Sequence, residues 1–151
     1  MKKQAVLIVL IIFLFTTCAL EIANVIGPGG GYVFYDKKNY DGGWRYMECA
    51  PSDFGELTDS TPASLARAEA MCKSNSGGGF YSFEWELPTD EQIRKILECF
   101  SYGLTRFSSE RYYITAAGHV FHKNFDNKKN GEVEQVTKDP PNIKVRPIRK
   151  F

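Results

Sequence analysis

The stretch GPGGGYVFY, residues 27–35, places four glycines and a proline directly before a run of aromatic and β-branched residues. Glycine loops that hold phosphate follow a strand and precede a helix, whose free amide groups point at the anion. Here the order is reversed, because β-propensity predicts a strand over Tyr32–Tyr35. The glycines are therefore predicted to permit a close backbone crossing where the first strand enters the sheet.

The N-terminal segment is predicted to be an export signal. Lys2 and Lys3 precede an uninterrupted apolar run of eleven residues, Ala5–Phe15. This run is too short for a permanent membrane span, which needs about 20 residues, and it has the charged and apolar regions of a signal peptide. The chain is accordingly divided into a signal peptide at 1–17, a linker at 18–26 and a domain at 27–151.

Cys18 is predicted to be the site of lipid attachment. The sequence FTTC, residues 15–18, resembles a bacterial lipoprotein box, in which the cysteine is acylated and begins the mature chain. Leucine is usual where Phe15 stands, so ordinary cleavage after Ala19 or Ala23 stays an alternative. The predicted location is the cell envelope, as an outer- or inner-membrane lipoprotein, or the periplasm or the exterior if the cysteine is not acylated.

Composition favours one folded domain with little net charge. The chain has 151 residues, of which 43% are hydrophobic and 14% aromatic, enough apolar material for a core. Removal of residues 1–17 takes away two lysines and no acid, so the formal net charge falls from +1 to −1. Export and the lack of a basic balance both argue against nucleic acid as a partner.

Three cysteines follow the predicted lipid site: Cys49, Cys72 and Cys99. An exported chain can form disulfides, and Cys72 and Cys99 are the favoured pair because each lies on a predicted helix, although spacing does not fix connectivity. No Cys-x-x-Cys motif is present and both histidines lie far from every cysteine in sequence, which argues against zinc.

The first half of the domain is predicted to form a hairpin and two helices. Trp44–Ala50 alternates as a second strand, with Asp41-Gly42 as the bend before it. Thr61 and Pro62 are typical of a helix start, and that helix is predicted to end near Lys73. A capping box of Thr89 and Gln92 starts the second helix. Its apolar positions fall at helical spacing: Ile93, Ile96, Leu97 and Phe100.

The second half is predicted to be strands alone, with a hairpin turn at Asn130-Gly131. These strands are Arg111–Ala116, Val120–Phe125, Gly131–Thr137 and Ile143–Arg149. Tight turns join them and no crossover helix separates them, which indicates an α+β fold with an antiparallel sheet and two helices.

Catalytic chemistry finds little support in the residues. His119 and His122 would point to opposite faces of one strand, which argues against a shared metal. Glu84 and Glu86 are interpreted as a solvated strand face rather than an acid–base pair. Cys49 has no histidine nearby in sequence, so a buried or disulfide-bonded cysteine is favoured over a nucleophile. We expect no enzymatic activity, no metal and no cofactor.

Five stretches, in order and with similar gaps, resemble the Lcl C-terminal-like domain family of bacteria. They are GPGGGYVFYD, WRYMECAPSD, WELPTDEQIRKIL, RYYIT and VRPIR, and the resemblance covers residues 26–151. It implies a C-type-lectin-like fold, related to that of sulfatase-modifying enzymes, and an exported or surface-attached protein. For the adhesin after which the family is named, it implies binding of sulfated polysaccharides.

Departures from the family narrow what the resemblance implies. The family's Tyr-Trp-Ser-Ser is replaced by Tyr112–Thr115, and no collagen-like tract is present. The calcium-site signatures of sugar-binding C-type lectins are absent, and the cysteine pair of the formylglycine-generating enzymes has no counterpart. Calcium-dependent sugar binding and that enzymatic activity are therefore not expected.

The leading prediction is a non-enzymatic, lipid-anchored binding or adhesion module for polysaccharide or glycosaminoglycan-like ligands. The alternative is an envelope structural lipoprotein that binds an envelope or host protein, and the least favoured is an enzyme related to the sulfatase modifiers. The ligand-binding candidates are Arg111, Tyr112, Tyr113, His119, His122 and Lys123. Trp85 and Leu87 are predicted to be core residues, and Arg146 and Arg149 to form partly buried salt bridges.

Overall fold

The computed structural model describes residues 25–75, 84–99, 111–123, 132–138 and 140–151. The predicted signal peptide, Cys18, Phe100 and the Asn130-Gly131 turn lie outside these ranges.

Eight strands and two α-helices occupy the described ranges. The strands are Tyr32–Asp36 (β1), Tyr46–Cys49 (β2), Gly55–Leu57 (β3), Tyr112–Ile114 (β4), Val120–Lys123 (β5), Val133–Val136 (β6), Ile143–Val145 (β7) and Ile148–Lys150 (β8). The helices are Pro62–Ser74 (α1) and Asp90–Cys99 (α2), and a 3-10 turn covers Asp41–Gly43. The predicted α+β class is confirmed.

The strands form two sheets rather than the single antiparallel sheet that the sequence predicts. One sheet has three strands in the order β1-β2-β8, and the other has five in the order β3-β7-β4-β5-β6. All pairs are antiparallel except β4 with β7, which is parallel. The prediction of purely antiparallel pairing is therefore wrong for this one pair.

Proline explains why the last predicted strand, Ile143–Arg149, is two strands. Pro147 has no amide hydrogen and cannot continue a ladder, so the chain leaves the five-stranded sheet after Val145 and joins the three-stranded sheet at Ile148. The carbonyl oxygen of Pro147 accepts a hydrogen bond from the amide of Ala50 at 2.9 Å. This crossing links the two sheets.

Both faces of the five-stranded sheet are covered. Tyr113 and Phe121 are cross-strand partners and pack in a core shared with α2 and the three-stranded sheet. Ile114 and Val120, the next partners, point the other way into a second core with α1 and Trp85. Over the described strands, both faces of the sheet therefore contribute to a core.

The helix starts are those that the sequence predicts. The amide of Ser64 donates to Thr61 Oγ1 at 3.4 Å. At the second helix, the Thr89 amide donates to Gln92 Oε1 at 2.7 Å and the Gln92 amide to Thr89 Oγ1 at 3.3 Å, which completes a capping box. Each cap satisfies amide groups that have no partner within the helix.

The folded unit begins before the predicted boundary at Gly27. The amide of Val33 donates to the carbonyl of Val25 at 2.9 Å, and Ile26 forms an antiparallel bridge with Tyr32. The last two residues of the predicted linker therefore lie against β1. In the described part of the chain, no helix combines the length and the apolar character needed to cross a membrane.

Candidate functional site

Two of the predicted ligand-binding residues are interior residues. Tyr113 is fully buried in the core beside α2, and burial raises the pKa of its hydroxyl. Lys123 is also buried; its ammonium group donates to the carbonyl of Leu97 at 3.1 Å, and burial lowers its pKa. Because α2 covers the sheet face on which they lie, the structure does not present these two side chains to a ligand.

The remaining four candidates do not converge on one site. Tyr112 and His122 are cross-strand partners with ring centroids 5.1 Å apart. Arg111 donates to Asp53 at 2.6 Å. His119 lies in the turn before β5 rather than on the strand.

Each histidine lies near a different carboxylate, and only His119 is within hydrogen-bond distance of its neighbour. His119 Nδ1 lies 2.6 Å from Asp90 Oδ2, and His122 Nε2 lies 3.7 Å from Glu134 Oε2. Over the described ranges, no three His, Cys, Asp or Glu side chains converge in a way that could hold a metal ion.

The glycine loop does hold an anion, and the anion is the protein's own Glu48. The amides of Gly29 and Gly31 each donate to one carboxylate oxygen of Glu48 at 2.9 Å. A Cβ at Gly27 would lie 2.3 Å from Glu48 Oε2, and one at Gly31 would lie 2.2 Å from the carbonyl oxygen of Cys49. The predicted close backbone crossing is confirmed, and it encloses a carboxylate as well.

Arg149 supplies the countercharge to this buried carboxylate. Its Nε lies 3.2 Å from Glu48 Oε1, and the Glu48 side chain is fully buried. Arg146 is equally buried and donates to Asp53 at 2.7 Å and to the Ala50 carbonyl at 2.8 Å. The prediction that both arginines form buried salt bridges is confirmed, so neither is offered to a ligand.

The three cysteines in the described ranges are free thiols. Cys72 lies in the core beside α1, whereas Cys99 lies near β1, where its sulfur is 3.8 Å from the Phe34 carbonyl. The predicted Cys72–Cys99 disulfide is therefore wrong, because the two helices carry these residues into different cores. Burial raises the pKa of Cys49 to about 12 and that of Cys72 to about 11.

An open cleft lies at the far end of the first hairpin, between β1 and the start of α2. We call it the Trp44 cleft; its volume is about 280 Å³. Its lining residues are Phe34, Tyr35, Lys37, Trp44, Met47, Thr89, Glu91, Gln92 and Lys95.

A β-bulge shapes the aromatic wall of the Trp44 cleft. The register of β1 against β2 shifts between Val33 and Tyr35, so Phe34 is an extra residue. Neighbouring residues of a regular strand point to opposite faces, and a bulge re-aims one of them. Here Phe34 and Tyr35 both line the cleft, and the ring of Tyr35 lies 6.4 Å from that of Trp44.

Ammonium groups lie over the aromatic rings of the cleft. Lys37 Nζ is 4.0 Å from the Trp44 ring centroid, and Lys95 Nζ is 4.6 Å from that of Tyr35. Lys37 also donates to the Asp41 carbonyl, and Lys95 forms an exposed pair with Glu91 at 2.9 Å. An exposed pair of this kind contributes little, so a ligand anion can compete for the ammonium group.

The first turn of α2 forms the polar wall of the cleft. Residues 115 and 119 hold this turn in place through Asp90. Asp90 accepts a hydrogen bond from Thr115 at 2.6 Å and lies against His119. Burial acts to raise the pKa of Asp90, but these hydrogen bonds outweigh it and leave the pKa lowered. Gln92 bonds to the Thr89 amide and to Met47 Sδ, at 3.5 Å. The cleft thus has preformed aromatic, cationic and amide groups.

A second groove passes Trp85, where cavities of about 470 and 330 Å³ share Lys73, Trp85 and Glu86. Trp85 is 7% exposed, as its predicted core role requires. Lys150 is paired with Glu86 at 2.8 Å, and Glu84 adds a second carboxylate. This groove therefore has less positive charge available to an anionic ligand than the Trp44 cleft has.

The sequence contains a pattern that marks the Trp44 cleft, but secondary-structure propensity alone does not identify it as a binding site. Aromatic and lysine residues alternate around the first hairpin, at Tyr35, Lys37 and Trp44, but β-propensity and turn chemistry predict only a strand and a turn there. Lys95 and Gln92 are too distant in sequence to be connected with them without the fold.

Comparison with protein-family models, with curated proteins and with solved structures finds no match. The resemblance to the Lcl C-terminal-like domain family therefore stays a prediction.

Proposed function

We propose that this chain is an exported, lipid-anchored, non-enzymatic binding module of C-type-lectin-like fold, which holds an acidic polysaccharide in the Trp44 cleft. The observation that carries the proposal is the pair of aromatic rings, Tyr35 and Trp44, each with a lysine ammonium group over its face. The α+β layout with two helices supports the fold that the family resemblance implies.

Acidic saccharides combine the three chemistries that line the cleft. Sugar rings present apolar C–H faces that suit the electron-rich faces of aromatic rings. Carboxylate or sulfate groups on the sugar attract the ammonium groups of Lys37 and Lys95. Hydroxyl groups match the amide of Gln92 and the carboxylate of Glu91, which fits the general pattern of apolar pockets with a few placed polar groups.

The thiols support a binding role rather than a catalytic one. A nucleophilic cysteine needs a lowered pKa and access to solvent. Cys49 is fully buried and its pKa is raised to about 12, so its thiolate is scarce at neutral pH. A reactive-thiol assay that labels Cys49 in the folded protein at neutral pH would contradict this part of the proposal.

Export and anchoring are supported by the charged and apolar N-terminal segment and by the position of Cys18. The mass of the mature protein from its native cell tests both. We expect a chain that begins at Cys18 and carries acyl groups, together with three thiols that react after unfolding without reductant. A mass that includes Met1, or an unmodified Cys18, would contradict the anchor.

Binding is tested by retention on a heparin column at low salt and by a glycan array. Wild-type protein is expected to be retained and Trp44→Ala to lose at least tenfold in affinity. Lys37→Ala should lose several-fold, whereas Arg67→Ala, which removes an exposed cation from α1, should behave as wild type. Lys73→Ala tests the Trp85 groove in the same way, and we expect it to bind as the wild type does.

Circular dichroism and thermal unfolding of each variant separate loss of binding from loss of fold. Failure of the wild type on both column and array would overturn the polysaccharide proposal. Stable envelope partners recovered by pull-down would then favour the alternative, a protein-interaction lipoprotein. If Trp44→Ala binds as tightly as the wild type, polysaccharide binding stands, but the assignment of its site to the Trp44 cleft is wrong.

A further inference from the structure

We infer that one edge of the three-stranded sheet rests on the surface of the lipid bilayer. This edge, which we call the N-terminal edge, consists of Val25, Ile26, Lys38 and Tyr40. The inference rests on the proposed lipid anchor at Cys18 and adds the orientation of the domain on the membrane.

The first observation is the distribution of exposed apolar side chains. Among the residues that the structure describes, the exposed large hydrophobic ones are Val25, Ile26 and Tyr40, with 49%, 57% and 65% of their surface accessible. Scattered exposed hydrophobic residues are ordinary. Here all three lie along β1 or in the loop that leaves it, where the chain enters the domain.

The second observation is the direction of the chain at this edge. Ile26 bridges Tyr32, and the Val25 carbonyl accepts from the Val33 amide, so the chain runs antiparallel to β1. Followed backwards, from Ile26 to Val25, it points towards the end of β1 at which Tyr40 lies. The described chain therefore enters the domain at the N-terminal edge.

The third observation is the length of chain between lipid and domain. Six residues lie between Cys18 and Val25, and the seven residue-to-residue steps cover at most ~3.6 Å each in an extended chain, or ~25 Å in all. A tether of this length keeps Val25, where the described chain enters the domain, within ~25 Å of the bilayer surface.

The chemistry of the edge fits the interfacial region of a bilayer. Tyrosine and lysine are enriched there because each has an apolar body and a polar end. The side chain of Lys38 is 60% exposed, but Asp36 pairs with both Lys38 and Arg45. Asp36 offsets only one of these two cations, so we expect contact to depend mainly on the apolar and aromatic side chains, with a weak dependence on salt.

The test uses the full chain, produced with its leader, purified from membranes and diluted from detergent into preformed phosphatidylcholine vesicles. Flotation first establishes anchoring. An amine-reactive reagent that does not cross membranes then labels lysines, and mass spectrometry measures labelling at Lys38 and at Lys73, an exposed residue of α1. A chain that starts at residue 18 with Cys18→Ser, produced without the leader, gives the unanchored reference.

We expect labelling of Lys38 to fall at least fivefold in the vesicle-bound protein, while that of Lys73 stays unchanged. Equal labelling of Lys38 in floating and free protein would overturn the orientation but leave the anchor intact. Protein that does not float would overturn both. Loss of polysaccharide binding alone would affect neither.

A second measurement does not depend on lysine chemistry. Tyr40→Trp and Gln135→Trp are each placed in a background in which Trp44 and Trp85 are replaced by Phe. Gln135 is exposed on β6, in the other sheet. Brominated lipids should quench the tryptophan at position 40 at least threefold more than that at position 135; equal quenching would contradict the inference.

Discussion

The two ends of the first hairpin, formed by β1 and β2, differ in what their charged groups contact. At the start of β1, the amides of the glycine loop enclose Glu48, which Arg149 neutralises, and the carboxylate has no access to solvent. At the other end, Lys37 and Lys95 lie over aromatic rings in an open cleft. The first end is an anion site that the protein itself fills; the second has cations available to a ligand.

The contrast shows where ligand binding should be sought in this fold. A glycine-rich loop signals close backbone approach, and here what approaches is the protein's own carboxylate. Such a loop stabilises the structure but offers nothing to an external phosphate. The open end, without any glycine signature in its wall, has the mixed chemistry of a binding site.

The largest effect is expected from breaking the closed end with Glu48→Ala. This change leaves the Arg149 charge buried without its partner and the amides of Gly29 and Gly31 without their acceptor. Loss of one member of a buried pair costs about 3–5 kcal/mol, so the free energy of unfolding in urea should fall by that amount.

Glu56→Ala is the matched control for Glu48→Ala, since it breaks the exposed pair with Lys144 and should cost less than about 1 kcal/mol. If Glu48→Ala is as mild as this control, the glycine loop does not depend on the carboxylate and the contrast between the two ends fails.

A smaller loss is expected from Gly31→Ala. Its Cβ would lie 2.2 Å from the Cys49 carbonyl oxygen, which belongs to a paired strand and cannot move freely. Overpacking of this kind costs about 1–3 kcal/mol, measured again by urea unfolding.

Gly55→Ala separates backbone crowding from the loss of glycine in general. Its Cβ would lie 2.5 Å from Met71 Sδ, on a flexible side chain that can shift. We expect Gly55→Ala to cost less than Gly31→Ala; the reverse order would contradict the assignment of a backbone crossing to the glycine loop.

The smallest effect on stability is expected from Asp90→Asn. Asp90 belongs to the first turn of α2, which forms the polar wall of the Trp44 cleft. The lowered pKa of Asp90 means that its contribution to stability is present above its ordinary value of 3.8 and is lost as the pH falls through the lowered one. The side chain is 36% exposed, so screening limits the contribution to about 1 kcal/mol or less. The stability difference between wild type and variant should therefore be seen at neutral pH and shrink as the pH falls below 3.8; a difference that grows on acidification would be the wrong sign.

Local signals in the sequence predict the local structure well. The capping residues Thr61, Thr89 and Gln92 act through neighbours three residues away, so their partners are visible in the sequence itself. The buried roles of Arg146 and Arg149 were also predicted. Their carboxylate partners, about a hundred residues earlier in the chain, could not be assigned without the fold.

The errors come from long-range packing. Tyr113 and Lys123 are ligand-binding candidates in the sequence analysis, but both side chains are buried. The structure places α2 over one face and α1 over the other, which no local pattern indicates. Pro147 did carry a usable signal, because a proline inside a predicted strand argues for a break.

The central claim is that the open end of the hairpin, and not the glycine loop or the late strands, holds the ligand. The most direct measurement is an NMR titration of isotope-labelled protein with a heparin-derived oligosaccharide. We predict concentration-dependent shifts of the Trp44 indole and of the Gln92 and Lys95 amides, with Gly29 and Gly31 unmoved. Shifts confined to the glycine loop or to Arg111 and His122, or no shifts at saturating oligosaccharide, would contradict the account.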